Sequence, residues 1–174
     1  MDTILEITKY LLPSLVLGIT VIYMVYRYFK DEDAKRKQQL FLNNQNMITP
    51  LRLQAYERAV LFLERISPES LIMRVSKPGH TCYQLQTEML NAIRSEFEHN
   101  LTQQVYISTQ AWEVLKIARG RTIQLINALA EKLAKDSPAI NLSKAILESM
   151  VDLEKAPATD AIAFIKKEIG QLFT

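Results

Sequence analysis

Two hydrophobic patterns divide the chain. Between Tyr10 and Tyr26 it reads YLLPSLVLGITVIYMVY, without a charge. Beyond residue 50 apolar residues instead return every third or fourth position, separated by short breaks rich in Pro, Gly and Ser. The first pattern, extended through Arg27, Tyr28 and Phe29, reaches about the 20 residues that a helix needs to cross a hydrocarbon core. The second is the signature of amphipathic helices packed on one another.

The first pattern predicts a transmembrane anchor over residues 1–30. Pro13 falls in its first turns, where a missing N–H costs little. Tyr10 at one end and Tyr23, Tyr26, Tyr28 and Phe29 at the other stand where aromatic belts meet the bilayer interface. The preceding residues carry Asp2 and Glu6 but no basic n-region, and no small-x-small cleavage site follows, which favours a retained anchor over a signal peptide. Arg27, Lys30, Lys35, Arg36 and Lys37 follow the run, whereas only Lys9 precedes it. The positive-inside rule then predicts an inner (cytoplasmic) membrane protein with its N-terminus outside and its C-terminal part in the cytoplasm. Ser14 and Gly18 form a small-xxx-small pair that could let two spanning helices approach.

Residues 31–49 read as a partly helical juxtamembrane linker that frays near Asn43 to Asn46. Thr49–Pro50 is an N-cap and first-turn pair that opens a new helix. In that helix Leu53, Tyr56, Val60 and Leu63, with Ala59, Phe62 and Ile66, form the expected buried stripe. Ser67–Pro68 ends it and opens a short helix, which Lys77–Pro78–Gly79 stops. Thr81 with Gln84 is a capping box for a helix presenting Leu85, Met89, Ile93, Phe97 and Leu101. Ser108 caps the next, reaching to residue 134, with Trp112, Leu115, Ala118, Leu125, Leu129 and Leu133 inward. Gly120 interrupts that helix, and a close helix crossing is the expected reason. After Asp136–Ser137–Pro138 a helix runs from about Leu142 to Glu154 with Ala145, Ile146, Ser149 and Leu153 inward. Pro157 breaks again, and the last helix carries Ile162, Ile165, Ile169 and Leu172. No run shows period-two alternation. The expected fold is all-α: a single N-terminal transmembrane helix followed by a cytoplasmic bundle of five to six helices over residues 50–174. Pro50, Pro68 and Pro78 argue against one long rod.

Composition narrows the function classes. Charged residues make up 23% of the 174 and apolar residues 48%, which is globular composition. Four glycines and six prolines are too few for a many-turned β fold. With 21 basic against 19 acidic residues there is no basic stripe of the kind that binds nucleic acid. The single cysteine, Cys82, precludes an intramolecular disulfide and suits a reducing compartment.

Candidate chemistry is sparse. Glu96 and His99 stand in a Glu-x-x-His spacing within RSEFEHNLTQQVYIS. A di-metal bundle needs two such motifs and two further glutamates, and the only other histidine, His80, has no glutamate three residues before it. One chain therefore lacks the second half-site, although a homodimer would supply it. The alternative is that Glu96, Asn100 and Gln104 close the end of a helix, with His99 placed to meet its macrodipole. Cys82 lies two residues from His80, without an orienting third group for catalysis. No phosphate loop, CxxC, HExxH or GxSxG is present.

The strings LRLQAYERAVLFLERISPESLI, LQTEMLNAIRSEFEHNLTQQVYIS, AWEVLKIA and IKKEIGQLF resemble a family of uncharacterised bacterial proteins with one N-terminal membrane span and a helical domain. The resemblance covers most of the chain from about residue 50 and implies an architecture without an activity, cofactor or catalytic residues. The expected function is a membrane-anchored interaction or scaffold module, not an enzyme, whose partners are the lipid bilayer and another protein or a second copy. No cofactor is expected. The alternative is a tethered domain that holds a metal or small ligand at Glu96 and His99.

Overall fold

A computed structural model describes the backbone of residues 2–152 and 158–172, and their side chains apart from those of residues 2–14, 16, 33, 34, 44, 46, 152 and 172. These residues form six α-helices: α1 (Asp2–Arg65), α2 (Pro68–Val75), α3 (Cys82–Asn100), α4 (Thr109–Ala130), α5 (Ala139–Asp152) and α6 (Thr159–Leu172). A 3₁₀ segment, Leu101–Val105, lies between α3 and α4. Among the described residues there is no strand, only an isolated bridge between Thr81 and Pro138. The fold is all-α. The chain divides into two compact units, Met1–Thr49 and Pro50–Thr174.

In the first unit the side chains described from Leu15 to Phe29 are all exposed. Arg27 donates from Nη1 to the Tyr23 hydroxyl at 3.4 Å, Tyr28 and Phe29 meet edge to face, and Arg36 lies 3.9 Å from Glu32 one turn earlier. A Cβ built on Gly18 meets nothing within 4 Å. Among the described residues no helix is long and apolar enough to cross a membrane. Arg27 ends the uncharged part of α1 on its C-terminal side. The side chains of Tyr10, Pro13 and Ser14, assigned above to the anchor, lie outside the described residues.

The expected helix start at Thr49–Pro50 is corrected: helical structure continues through both, and through 43–46 as well. Proline inside a helix forfeits one backbone hydrogen bond. Pro50 is exposed, so the loss falls beside solvent rather than in a core.

The second unit has one core. Residues 50–65 of α1 contribute Ala55, Tyr56, Ala59, Phe62 and Leu63, and Ile66 follows just past the helix end; all are buried, whereas Leu53 is exposed and Val60 only partly covered. Leu71 of α2, Leu85, Met89 and Ile93 of α3, Leu115 and Ile126 of α4, Leu142 and Ile146 of α5 and Ile165 of α6 have no exposed surface. Burying each such side chain fully is worth about 1.5–3 kcal/mol. α3 packs on α2, α4 and α5, α4 packs also on α5 and α6, and α5 packs also on α2, so α3, α4 and α5 each have three helix partners.

Two stripes differ from expectation. On α4 the buried line is Trp112, Leu115, Ala118, Thr122 and Ile126, while Leu125, Leu129 and Leu133 are only partly covered. The line steps through Thr122 because its hydroxyl donates to the Ala118 carbonyl at 3.0 Å, which removes the cost of burying it. On α3 the stripe ends at Asn100, which is buried, while Leu101 is exposed because the 3₁₀ segment turns it away. α4 also stops at Ala130. The open space around Gly120 removes the expected close crossing: a Cβ there meets nothing within 4 Å. α5 begins at Ala139 rather than near Leu142. Leu153, Glu154 and Pro157, and the side chain of Leu172, lie outside the described residues.

Helix starts follow the capping chemistry. Ser108 accepts from the Ala111 N–H at 2.9 Å, and Ser67 accepts from Ser70 N–H at 3.4 Å. At the head of α3, Thr81 N–H donates to Gln84 Oε1 at 3.0 Å and Gln84 N–H to Thr81 Oγ1 at 3.3 Å, a complete capping box. The same point is tied to the α4–α5 connection. Cys82 N–H donates to the Ser137 carbonyl at 2.8 Å, and Ala139 N–H donates to the His80 carbonyl at 2.9 Å. Gly79, at φ 82°, supplies the left-handed residue that turns the chain toward this junction.

Candidate functional site

The last turn of α1 presents Arg65 and the last turn of α2 presents Arg74, each a cation at the negative end of a helix dipole. α3 runs past both, and Glu96 reaches them together. Arg65 donates from Nε to Glu96 Oε1 at 2.9 Å and approaches the same oxygen through Nη2 at 2.8 Å; Arg74 donates from Nη1 at 3.1 Å. Arg74 also donates from Nη2 to the Arg65 carbonyl at 3.2 Å, satisfying one of the orphan acceptors at the end of α1. The Glu96 side chain is 17% exposed. It therefore works as an acceptor for two guanidiniums that hold the α1–α2 corner against α3.

This resolves the Glu-x-x-His pattern residue by residue. Asn100 takes the helix-closing role, donating from Nδ2 to the Glu96 carbonyl at 2.7 Å. The Glu96 side chain does not share that task, and Gln104 is exposed. His99, also exposed, places Nδ1 2.8 Å from the Ser95 carbonyl, which can only accept, so that nitrogen carries a proton. Glu96 and His99 do line one cleft of about 510 Å³, with Gln54, Arg58, Leu61 and Ser95. The Glu96 carboxylate is already committed to cations, and among the described residues no group of three or more His, Cys, Asp or Glu is placed to hold a metal.

Cys82 and His80 are likewise separated by their bonding. The Cys82 thiol is buried, 3.0 Å from Ser137 Oγ and 3.3 Å from the Pro138 carbonyl, to which it donates. Ser137 Oγ itself donates to the Ala134 carbonyl at 2.6 Å. The thiol thus packs the loop that opens α5. His80 keeps its backbone in the junction described above while Nδ1 is buried without a hydrogen-bond partner. A cleft of about 590 Å³ there is lined by Lys77, His80, Asp136 and Pro138 among others.

Two polar arrangements escape the sequence patterns. Tyr56, fully buried on α1, donates to Glu168 Oε1 of α6 at 2.8 Å and accepts from the Ser108 N–H at 3.2 Å, so one phenol joins three helices. Glu168 Oε2 is buried without a partner. Arg119 lies 4.1 Å from the centre of the Phe97 ring, which stacks on Trp112 at 5.4 Å and meets Phe62 at 6.0 Å. Phe97 so links two positions on α4, two turns apart, and Trp112 is a core residue, 7% exposed. The available signal for the first was a phenol on a buried stripe, which needs a hydrogen-bond partner. Nothing in the spacing names Glu168 as that partner.

Comparison with known proteins gives no match among curated proteins. No solved structure matches either. A family model described as a family of unknown function, DUF7935, matches residues 2–172, and with nearly its whole length matched the chain belongs to that family.

Proposed function

We propose that the chain is a membrane-anchored helical interaction module, held at the inner (cytoplasmic) membrane by its N-terminal helix, with residues 50–174 as its cytoplasmic working part. The observation that carries the reading is the apolar run of α1. Leu15, Leu17, Ile19, Val21, Ile22, Tyr23, Met24 and Val25 are 48–70% exposed, and at about 100° per residue they are spread round the helix with no gap wider than about 100°. A helix apolar on all sides belongs in lipid or inside other protein. Residues 10–14 of the run are uncharged as well, and the basic residues Arg27, Lys30, Lys35, Arg36 and Lys37 on one flank favour N-out orientation. The charged cluster in the second unit supports an interaction role over a chemical one, because Glu96 is engaged in holding helices together.

The test is fractionation of the full chain after expression. It is expected to stay in the membrane pellet through alkaline carbonate washing, and its C-terminal part to survive protease added outside intact cells. A full chain that remains in solution without detergent, or whose C-terminal part is digested from outside, overturns the reading.

A further inference from the structure

Residues 38–49, QQLFLNNQNMIT, are helical and carry no charge, directly after the mixed-charge residues 30–37. At about 100° per residue Leu40, Phe41, Met47 and Ile48 fall within an arc of about 120° on one side of α1. Their exposures are 62, 62, 66 and 52%. Asn44 is the one polar position in that arc, and Leu42 lies on the opposite side. The apolar residues repeat at seven, Leu40 with Met47 and Phe41 with Ile48, the spacing of a two-stranded coiled coil.

We propose that this face is where two copies of the chain pair, parallel and in register. The charge pattern selects that occupant. A helix lying on a lipid surface presents Lys and Arg to the headgroups, and residues 38–49 have neither. A strongly charged partner would find no countercharge. Parallel pairing of identical helices sets each residue beside its own copy, an arrangement that like charges penalise and that this segment tolerates on every side. The parallel sense rests on the membrane reading above, since anchored copies leave the bilayer from the same side. The stripe spans less than two heptads, so the local concentration set by a shared membrane supplies the remaining drive.

Disulfide trapping in the membranes of cells expressing the full chain tests the pairing. A disulfide needs Cα atoms within about 7 Å, so Phe41→Cys and Ile48→Cys are expected to give severalfold more oxidised dimer than Leu42→Cys or Gln39→Cys. The unsubstituted chain, whose only thiol is the buried Cys82, sets the baseline. Equal trapping at all four positions, trapping at none, or trapping only when Phe41→Cys and Ile48→Cys chains are mixed overturns the proposal. Pelleting the same preparations separates the two readings. Stripe-specific dimers from a chain in the supernatant overturn the anchor alone, and a pelleted chain without them overturns the pairing alone.

Discussion

Tyr56→Phe removes one oxygen atom and leaves a ring of nearly the same shape in a fully buried site. The oxygen serves two partners: it donates to the Glu168 carboxylate at 2.8 Å and accepts the Ser108 N–H at 3.2 Å. A hydrogen bond to a charged group contributes about 1.5–3 kcal/mol, and a buried N–H left unpaired costs about 1–3 kcal/mol. The two losses share one atom and will not add fully, so the expected destabilisation is about 2–4 kcal/mol. Glu168 sharpens the test. Its other oxygen is already buried and unpartnered, so losing the phenol strips the carboxylate of its hydrogen bond to α1. Urea unfolding followed by far-UV circular dichroism measures the change for Tyr56→Phe, Glu168→Gln and the double variant. Coupling of about 1.5 kcal/mol or more is expected between the two positions. A single-variant loss below about 0.5 kcal/mol, or additive single effects, would show that the hydrogen bond does not join α1, α4 and α6 in the way described.

Gly120→Ala is expected to stabilise the second unit by about 0.5–1 kcal/mol, since the position is helical and a new methyl meets open space; thermal unfolding checks it, and a fall in Tm refutes it. Glu96→Gln is expected to destabilise by about 1 kcal/mol, because the ion pairs are partly solvated, with Arg65 47% and Arg74 31% exposed. Raising the salt concentration during urea unfolding should shrink that difference, and a salt-independent loss would contradict the ion-pair account.

How far the sequence carries depends on the range of the interaction. Local chemistry is legible: the Thr81–Gln84 capping box, the Ser67 and Ser108 caps, the stop at Gly79 and the stripe Leu85, Met89, Ile93 need only neighbours within a few residues. The α4 stripe drifts after Ala118 because Thr122 reads as polar until its bond to the preceding turn is known. At Gly120 the sequence suggests a tertiary reason that the open space around it does not supply. At Pro50 the local penalty for proline predicts a boundary, yet the helix continues where solvent surrounds the lost bond. The candidate site is half legible. Glu96 stands out by its spacing to His99, but its actual partners, Arg65 and Arg74, are 31 and 22 residues away and sit on other helices.

The junction at the head of α3 also ties together distant parts of the chain. Cys82 and Ser137 are separated by α3 and α4, so the bond between them closes a loop holding both helices. Closing such a loop costs entropy that grows slowly with its length and is recovered only once the hairpin inside it has packed. The first residue of α5, Ala139, donates to the carbonyl of His80 across that closure. The fifth helix accordingly has its starting point fixed by the segment that opens α3, a contact made across the whole of α3 and α4.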